Sequence, residues 1–172
     1  MIFVGVDPSI VCTGIVAIMD GEVVWERTVD DPPRKKGEPK KGTRVDPVRL
    51  ANMVRRVLEC FPGPWSKEEH TDVFVAIEEP FIGKNATAAL KTYSVFAALV
   101  FEVQMIINYQ NGIVGLLTPS PANIKKFVGV KEKNFVARAV FRKWGYAADD
   151  DNLVDAYAIA RWAEAEWNAT YK

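Results

Sequence analysis

Three acidic residues sit where an acid is costly without a partner. Asp7 closes the apolar run at residues 2–6, Glu78 closes a second apolar run at 73–77, and Asp155 interrupts the apolar stretch 153–160. An acid at the end of a strand buried on both faces stands on a rigid support. A lone Asp inside an apolar helical stretch is expensive unless paired. If the two strands are parallel neighbours, Asp7 and Glu78 share one sheet edge. Two carboxylates about 5 Å apart repel by roughly 3 kcal/mol at an effective dielectric near 20, while a domain has only about 5–15 kcal/mol of net stability. Three or four together therefore require a cation. His70 is the only histidine, and Cys12 and Cys60 are the only cysteines. The donors are then all oxygen, which selects Mg²⁺ or Mn²⁺. Sites of this kind commonly hold two ions about 3.5–4 Å apart and carry out in-line phosphoryl displacement. Plainer explanations exist for single acids. Asp7 before Pro8 suits a turn, and Asp149, Asp150 and Asp151 suit a helix start, where carboxylates cap and complement the dipole. Capping does not account for Asp155. Asp151 lies four residues before it and Asn152 three, on the same helix face.

The elements that must position these acids follow from the apolar patterning. Strands are expected at 2–6, 14–18 and 22–29, with Asp20-Gly21 as a hairpin turn. Residues 30–47 change composition to a loop rich in Pro, Gly and Lys. Within 34–44, Arg34, Lys35, Lys36, Lys40, Lys41 and Arg44 face only Glu38. Such a loop is either a solvated surface segment or a flexible arm that neutralises phosphates. Asp46-Pro47 opens a helix over 48–61, with Leu50, Val54, Val57 and Leu58 on one face, and Pro62-Gly63-Pro64 stops it. A polar connection, 65–72, leads to a fourth strand at 73–77. A long helix then runs from Lys84-Asn85 to about 111. Its second half is apolar almost all round, so it is expected to be covered by the sheet on one side and by a second subunit on the other. A fifth strand at 113–117 precedes a short helix between Ser120-Pro121 and Gly129, a helix over 131–143, and a final helix from 152 to about 168. The order is β-β-β-α-β-α-β-α-α-α, a single α/β domain over 1–172 without internal repeats.

Composition narrows the function classes. Hydrophobic content of 49% and charged content of 26% are those of a soluble globular protein. Net charge is +0, so affinity for nucleic acid must come from a local basic patch. Two cysteines make neither a zinc site nor a disulfide framework, which suits a reducing cytoplasm. No secretory signal pattern opens the sequence. The apolar run at 95–107 contains Glu102 and Gln104 and is expected to be too short and too polar for a membrane span of about 20 residues.

Together the motifs resemble the RuvC family of Holliday junction resolvases, within the ribonuclease H-like superfamily. They are Val4-Gly5-Val6-Asp7-Pro8-Ser9 with Thr13-Gly14, then Ala76-Ile77-Glu78-Glu79-Pro80-Phe81-Ile82-Gly83-Lys84-Asn85 with Ala88-Ala89-Leu90-Lys91, and Asp155-Ala156-Tyr157-Ala158-Ile159-Ala160. The resemblance implies a ribonuclease H-like fold, a five-stranded mixed sheet flanked by helices. It also implies a cytoplasmic homodimer, joined here through the helix at 84–111, that nicks two strands of a four-way DNA junction symmetrically. Such a crossover junction endodeoxyribonuclease uses Mg²⁺, with Mn²⁺ substituting, two ions per site, and no nucleotide cofactor.

Three of the family's acids map onto Asp7, Glu78 and Asp155. Its remaining ligand lies three residues before the last Asp, where this chain has Asn152. Asp151 is expected to supply the missing carboxylate, with Asn152 as a weaker oxygen ligand. Glu79 is expected to be a bystander, since successive strand residues point to opposite faces. Phe81 falls where the family places an aromatic that stacks on an exposed base, although a core Phe is the alternative. Lys125 and Lys133 match basic positions near the scissile phosphate, Lys133 taking part in catalysis, with solvated helix lysines as the alternative. Lys84 and the loop residues Arg34, Lys35, Lys36, Lys40 and Lys41 would add DNA contacts that salt weakens. Other functions compatible with the same acids are a related nuclease for flapped or branched DNA or RNA–DNA hybrid, and a junction-binding protein without cleavage. An actin-like nucleotide-binding module would need a second phosphate loop, which is not found.

Overall fold

Among the described residues, five strands form one open sheet in the order β3-β2-β1-β4-β5. They are β1 Ile2–Asp7, β2 Cys12–Met19, β3 Glu22–Asp30, β4 Val73–Ile77 and β5 Ile113–Leu117. The computed structural model describes residues 1–30, 46–60, 72–81, 86–109 and 113–171. The first three strands make an antiparallel meander, and β4 and β5 add in parallel on the far side of β1. β1 is therefore central, and every residue from Ile2 to Val6 is buried. Asp20 and Gly21 have φ of 51° and 81°, the two left-handed residues that a tight hairpin requires.

Period-two alternation sends each strand's side chains to two separate cores. Val4, Val6, Val75 and Ile77 pack with α1 (Pro47–Leu58) and α2 (Ala86–Tyr109). Phe3, Phe74 and Ala76 pack on the other face with α3 (Pro121–Val128), α4 (Val136–Trp144) and α5 (Asp151–Tyr171).

Local chemistry explains the helix boundaries. Asp46 caps α1, accepting from the backbone N–H groups of Val48 at 2.9 Å and Arg49 at 3.4 Å. Ser120 and Asn123 form a reciprocal capping box at the start of α3, and Gly129, at φ 88°, ends it. The helix expected over 131–143 starts later. A 3₁₀ turn, Lys133–Phe135, precedes α4, and Glu132 makes no side-chain cap. Residues 131–135 are all exposed, and burial begins only at Val136, so nothing draws the earlier residues into a helix.

α2 corrects a second expectation. Its segment Ala89–Ile107 has a mean hydropathy of 1.5 and is, by length and composition, long and apolar enough to cross a membrane. Glu102 and Gln104 lie on its exposed side and do not interrupt it. Val95, Leu99 and Val103 are fully buried in the core beneath the sheet, while most of the segment is not buried.

α5 lies closest to the sheet. A Cβ added at Gly5 would stand 2.0 Å from the Ala156 carbonyl oxygen and 2.5 Å from the Ala160 nitrogen. One added at Gly14 would stand 2.1 Å from the Asn152 carbonyl oxygen. Two glycines on adjacent strands thus seat the helix backbone directly on β1 and β2. The β2–β3 hairpin clasps the same helix, because the Gly21 carbonyl accepts from Arg161 Nη1 at 2.9 Å. Tyr146 stacks on Tyr157 with centroids 4.1 Å apart, and its hydroxyl donates to Glu26 at 2.8 Å.

Candidate active site

The parallel pairing of β1 and β4 places two acids side by side. Val6 is in register with Ile77, and the Glu78 N–H donates to the Val6 carbonyl at 3.0 Å. The ladder thus runs one step past β4, where Asp7 and Glu78 share an edge and a face. That face is the α5 side, and the helix seated on Gly5 and Gly14 presents Asp155 to the same place. Asp7, Glu78 and Asp155 line one cavity of about 630 Å³, together with Lys125, Lys133 and Phe81. Apart from Thr92, its remaining wall is apolar, from residues such as Pro80, Ala89, Pro121, Ile124 and Val136.

The electrostatics are those of crowded acids. Burial, and then the charge of Asp155, push Asp7 up to about 7, with Asp150 adding and Lys133 opposing. Burial, then Asp7 and Asp155, push Glu78 up to about 8. The Lys133 ammonium lies 2.8 Å from Asp155 Oδ2, with 73% of its side chain exposed. Burial works against its charge, but Asp155, Asp7 and Glu78 outweigh that and raise its pKa.

These shifts carry a stability prediction for the metal-free protein. The ordinary values are 3.8 for Asp7 and 4.5 for Glu78. Between those and the raised values, the folded protein keeps protons that the unfolded chain has released. Stability contributed by these groups is therefore full at low pH and falls as pH rises through about 4 to 8. Each displaced pKa unit is worth about 1.4 kcal/mol, so the melting temperature should fall by on the order of 10 °C relative to a Glu78→Gln reference. Mg²⁺ should restore it at pH 8.5 and do little at pH 5. Melting curves with and without chelator test this, and a wild-type melting point that does not fall against the reference would contradict it.

The donor set fits a hard divalent cation: three carboxylates, no histidine or cysteine among the described residues of the cavity wall, and acids whose repulsion a cation relieves. Among the described residues, no three acidic, histidine or cysteine side chains stand close enough to form a ready-made cage. Lys133 holds one of the three, its own side chain mostly exposed and that of Asp155 mostly buried.

The expected fourth carboxylate is not brought here. Asp151 is exposed at the first position of α5 and does not line the cavity. Its neighbour Asp150 caps the helix, accepting from the Asn152 N–H at 2.9 Å. Asn152 turns toward the hairpin, with Nδ2 donating to Asp150 Oδ1 at 2.7 Å and lying 3.3 Å from Cys12 Sγ. Thr28 donates to the other Asp150 oxygen at 3.1 Å. Burial works against the Asp150 charge, but these bonds outweigh it and hold the carboxyl below its ordinary value. Burial first, and then Asp30 and Asp150, push the Cys12 thiol up to about 12.

The other residues read from the sequence fall as follows. Glu79 is exposed and donates its N–H to the Pro119 carbonyl at 2.8 Å, outside the cavity wall. Phe81 is 76% exposed, so it is not a core residue. Lys125 and Lys133 both line the cavity. Arg34, Lys35, Lys36, Lys40, Lys41 and Lys84 lie outside the described residues. Sequence reasoning passed over Asp150 as an electrostatic neighbour of Asp7, and over Gly5 and Gly14 as the seat of α5. The available signal was small residues on both partners, Gly5 against Ala156 and Ala160.

Among the described residues, an open five-stranded mixed sheet with helices on both faces carries acids at two neighbouring parallel strand ends and on the last helix, an arrangement of the ribonuclease H-like fold. Within it, the chain is similar to solved RuvC structures. One, described as T. thermophilus RuvC in complex with Holliday junction substrate, gives a TM-score of 0.63 at 20% identity over 99% of this chain and 96% of that one. A second Thermus thermophilus RuvC structure gives 0.64 at 21% identity over 100% and 98%. The yeast mitochondrial Holliday junction resolvase Ydc2 gives 0.55 at 14% identity over 96% and 82%. No protein-family profile matches the sequence, and no curated protein does. The fold is therefore that of the RuvC resolvases.

Proposed function

We propose that this chain is a metal-dependent endonuclease that resolves four-way DNA junctions by paired symmetric nicks. The convergence of Asp7, Glu78 and Asp155 in one cavity of a RuvC-type fold carries this proposal. Mg²⁺, or Mn²⁺ in its place, supplies Lewis acidity and a water acidic enough to attack phosphorus. Asp7, Glu78 and Asp155 hold the metal. Mg²⁺ commonly binds through one or two carboxylates plus substrate phosphates, so three carboxylates suffice for two ions. Lys133 and Lys125 place positive charge where the phosphate's negative charge grows. Phe81, exposed at the rim, offers a ring to an unpaired base at the junction centre, a contact worth about 1–3 kcal/mol.

On this ligand set, Asp151→Asn should cleave at close to the wild-type rate, whereas Asp155→Asn should be inactive. Steady-state cleavage with Mg²⁺ decides it, and an inactive Asp151→Asn would make Asp151 the fourth ligand after all.

Paired nicking needs two sites. The exposed side of α2 carries Leu90, Tyr93, Phe101 and Met105, at 59%, 38%, 62% and 37% exposure, a surface that fits a second copy of the chain. Sedimentation should show a dimer that Phe101→Glu converts to monomer without unfolding. A wild-type monomer at micromolar concentration would exclude this interface.

Cutting rates on a four-way junction, a flap, a linear duplex and an RNA–DNA hybrid test the function itself. The junction should be cut at least about 10-fold faster than the others, a difference of about 1.4 kcal/mol in barrier. Equal rates would leave a nuclease but not a resolvase.

A further inference from the structure

We infer that the outer face of α4, carrying Phe135, Arg138, Phe141 and Arg142, is a second nucleic-acid contact that holds the strand leading away from the cavity. The inference rests on the cavity binding DNA and extends that binding to a surface with no catalytic part.

The chain as a whole is neutral, with 22 basic and 22 acidic residues, but its charge is segregated. Over residues 121–145, Lys125, Lys126, Lys131, Lys133, Arg138, Arg142 and Lys143 are opposed by Glu132 alone. Several of these charges already have a place. Lys125 and Lys133 line the cavity. Lys143 donates to the Phe127 carbonyl at 3.0 Å and lies 4.5 Å and 4.6 Å from the ring centroids of Phe127 and Trp144. Arg138 and Arg142 differ: both are exposed, and neither takes part in an ion pair among the described residues.

Helix geometry gathers them. α4 buries Val136 and Val140, which leaves Arg138, Phe141 and Arg142, spaced three and four apart, on one outward stripe. Phe135 precedes it, and the two phenylalanines are 47% and 58% exposed. Guanidinium groups pair with phosphates, and exposed rings take bases of any sequence. The stripe also begins close to the site in sequence, because Phe135 follows two residues after Lys133, which lines the cavity. From Phe135 to Arg142 the chain rises about 10 Å at 1.5 Å per residue, about three nucleotide steps at 3.4 Å per strand. The local excess of positive charge and this continuity with the cavity favour nucleic acid over a protein partner.

The test is the salt dependence of binding to a four-way DNA junction, measured by fluorescence anisotropy in Ca²⁺ on the full chain. The Arg138→Ala/Arg142→Ala double variant should lower the slope of log affinity against log salt by about 2, one phosphate per arginine. Its affinity near 0.1 M salt should fall by about 10-fold or more. Its melting temperature and its cleavage rate at saturating DNA should stay within error of wild type. Phe141→Ala should weaken binding by about 5-fold or more with an unchanged slope. An unchanged slope in the double variant, with wild type still cutting junctions, overturns the α4 contact and leaves the proposed activity standing. A reduced slope in a protein that cuts no DNA supports the contact and sinks the nuclease. Wild type that binds no DNA overturns the contact as well.

Discussion

Asp7→Asn should slow junction cleavage by at least about 1,000-fold while the protein still binds a four-way junction with close to wild-type affinity. A metal-held water and a polarised phosphoryl oxygen are worth several kcal/mol of transition-state stabilisation, and each 1.4 kcal/mol or so is a factor of ten in rate. On the proposed metal site, Asp7 is the acid on which those contributions should depend most. It ends the central strand, where it pairs with Gly14 of β2 directly after Val6 pairs with Ile77 of β4, and burial and Asp155 both press on its charge. Affinity for DNA draws on other groups, the cationic Lys125 and Lys133 and the exposed Phe81 ring, so binding should survive. The same variant should melt higher than wild type at pH 8.5 without metal, because it removes one of the repelling charges. It should also lose most of the Mg²⁺-induced rise in melting temperature. Single-turnover cleavage, junction binding and melting curves on one preparation separate these effects. Residual cleavage within 10-fold of wild type would remove Asp7 from the metal site, since the change would then be worth less than about 1.4 kcal/mol.

Gly5→Ala should be a strongly damaging single-methyl change. The added Cβ would sit 2.0 Å from the Ala156 carbonyl oxygen and 2.5 Å from the Ala160 nitrogen. Both atoms belong to helix backbone, so no side chain can rotate out of the way. α5 must move off the sheet by more than 1 Å to reach ordinary contact, and overpacking of this kind costs about 1–3 kcal/mol or more. At about 2–4 °C per kcal/mol for a chain of this size, a fall of about 10 °C in melting temperature is expected. Gly129→Ala provides the contrast. Its Cβ meets nothing within 4 Å, although φ is 88°, so it should lose only about 1 kcal/mol, the strain of a left-handed non-glycine residue. If the two variants melt together, α5 is not seated as described. Because α5 carries Asp155, Gly5→Ala should also lower the Mg²⁺-dependent rise in melting temperature in whatever fraction folds.

Much of this arrangement was legible before any coordinates. Apolar runs of the right length, punctuated by Asp20-Gly21, Asp46-Pro47, Ser120-Pro121 and Gly129, mark all five strands and most helix ends, because backbone propensity and capping act over a few residues. The three acids were legible for a related reason: a carboxylate next to or within an apolar run conflicts with its surroundings, and the conflict is visible in sequence. The orientations of the side chains at the start of α5 were not. Asp150, Asp151 and Asn152 are adjacent and chemically similar, and local rules allow any of them to face the site. Only the docking of α5 against Gly5 and Gly14 determines that Asp150 caps the helix and accepts from Thr28, Asn152 turns to Asp150 and Cys12, and Asp151 is exposed. The late start of α4 was hidden likewise, since it depends on where burial begins. Sequence by itself determined the identity of the elements and the presence of a strained acidic triad, both consequences of short-range chemistry. Tertiary structure decided which side chains meet, because that depends on how closely two backbones approach, and at Gly5 that approach turns on a single missing methyl group.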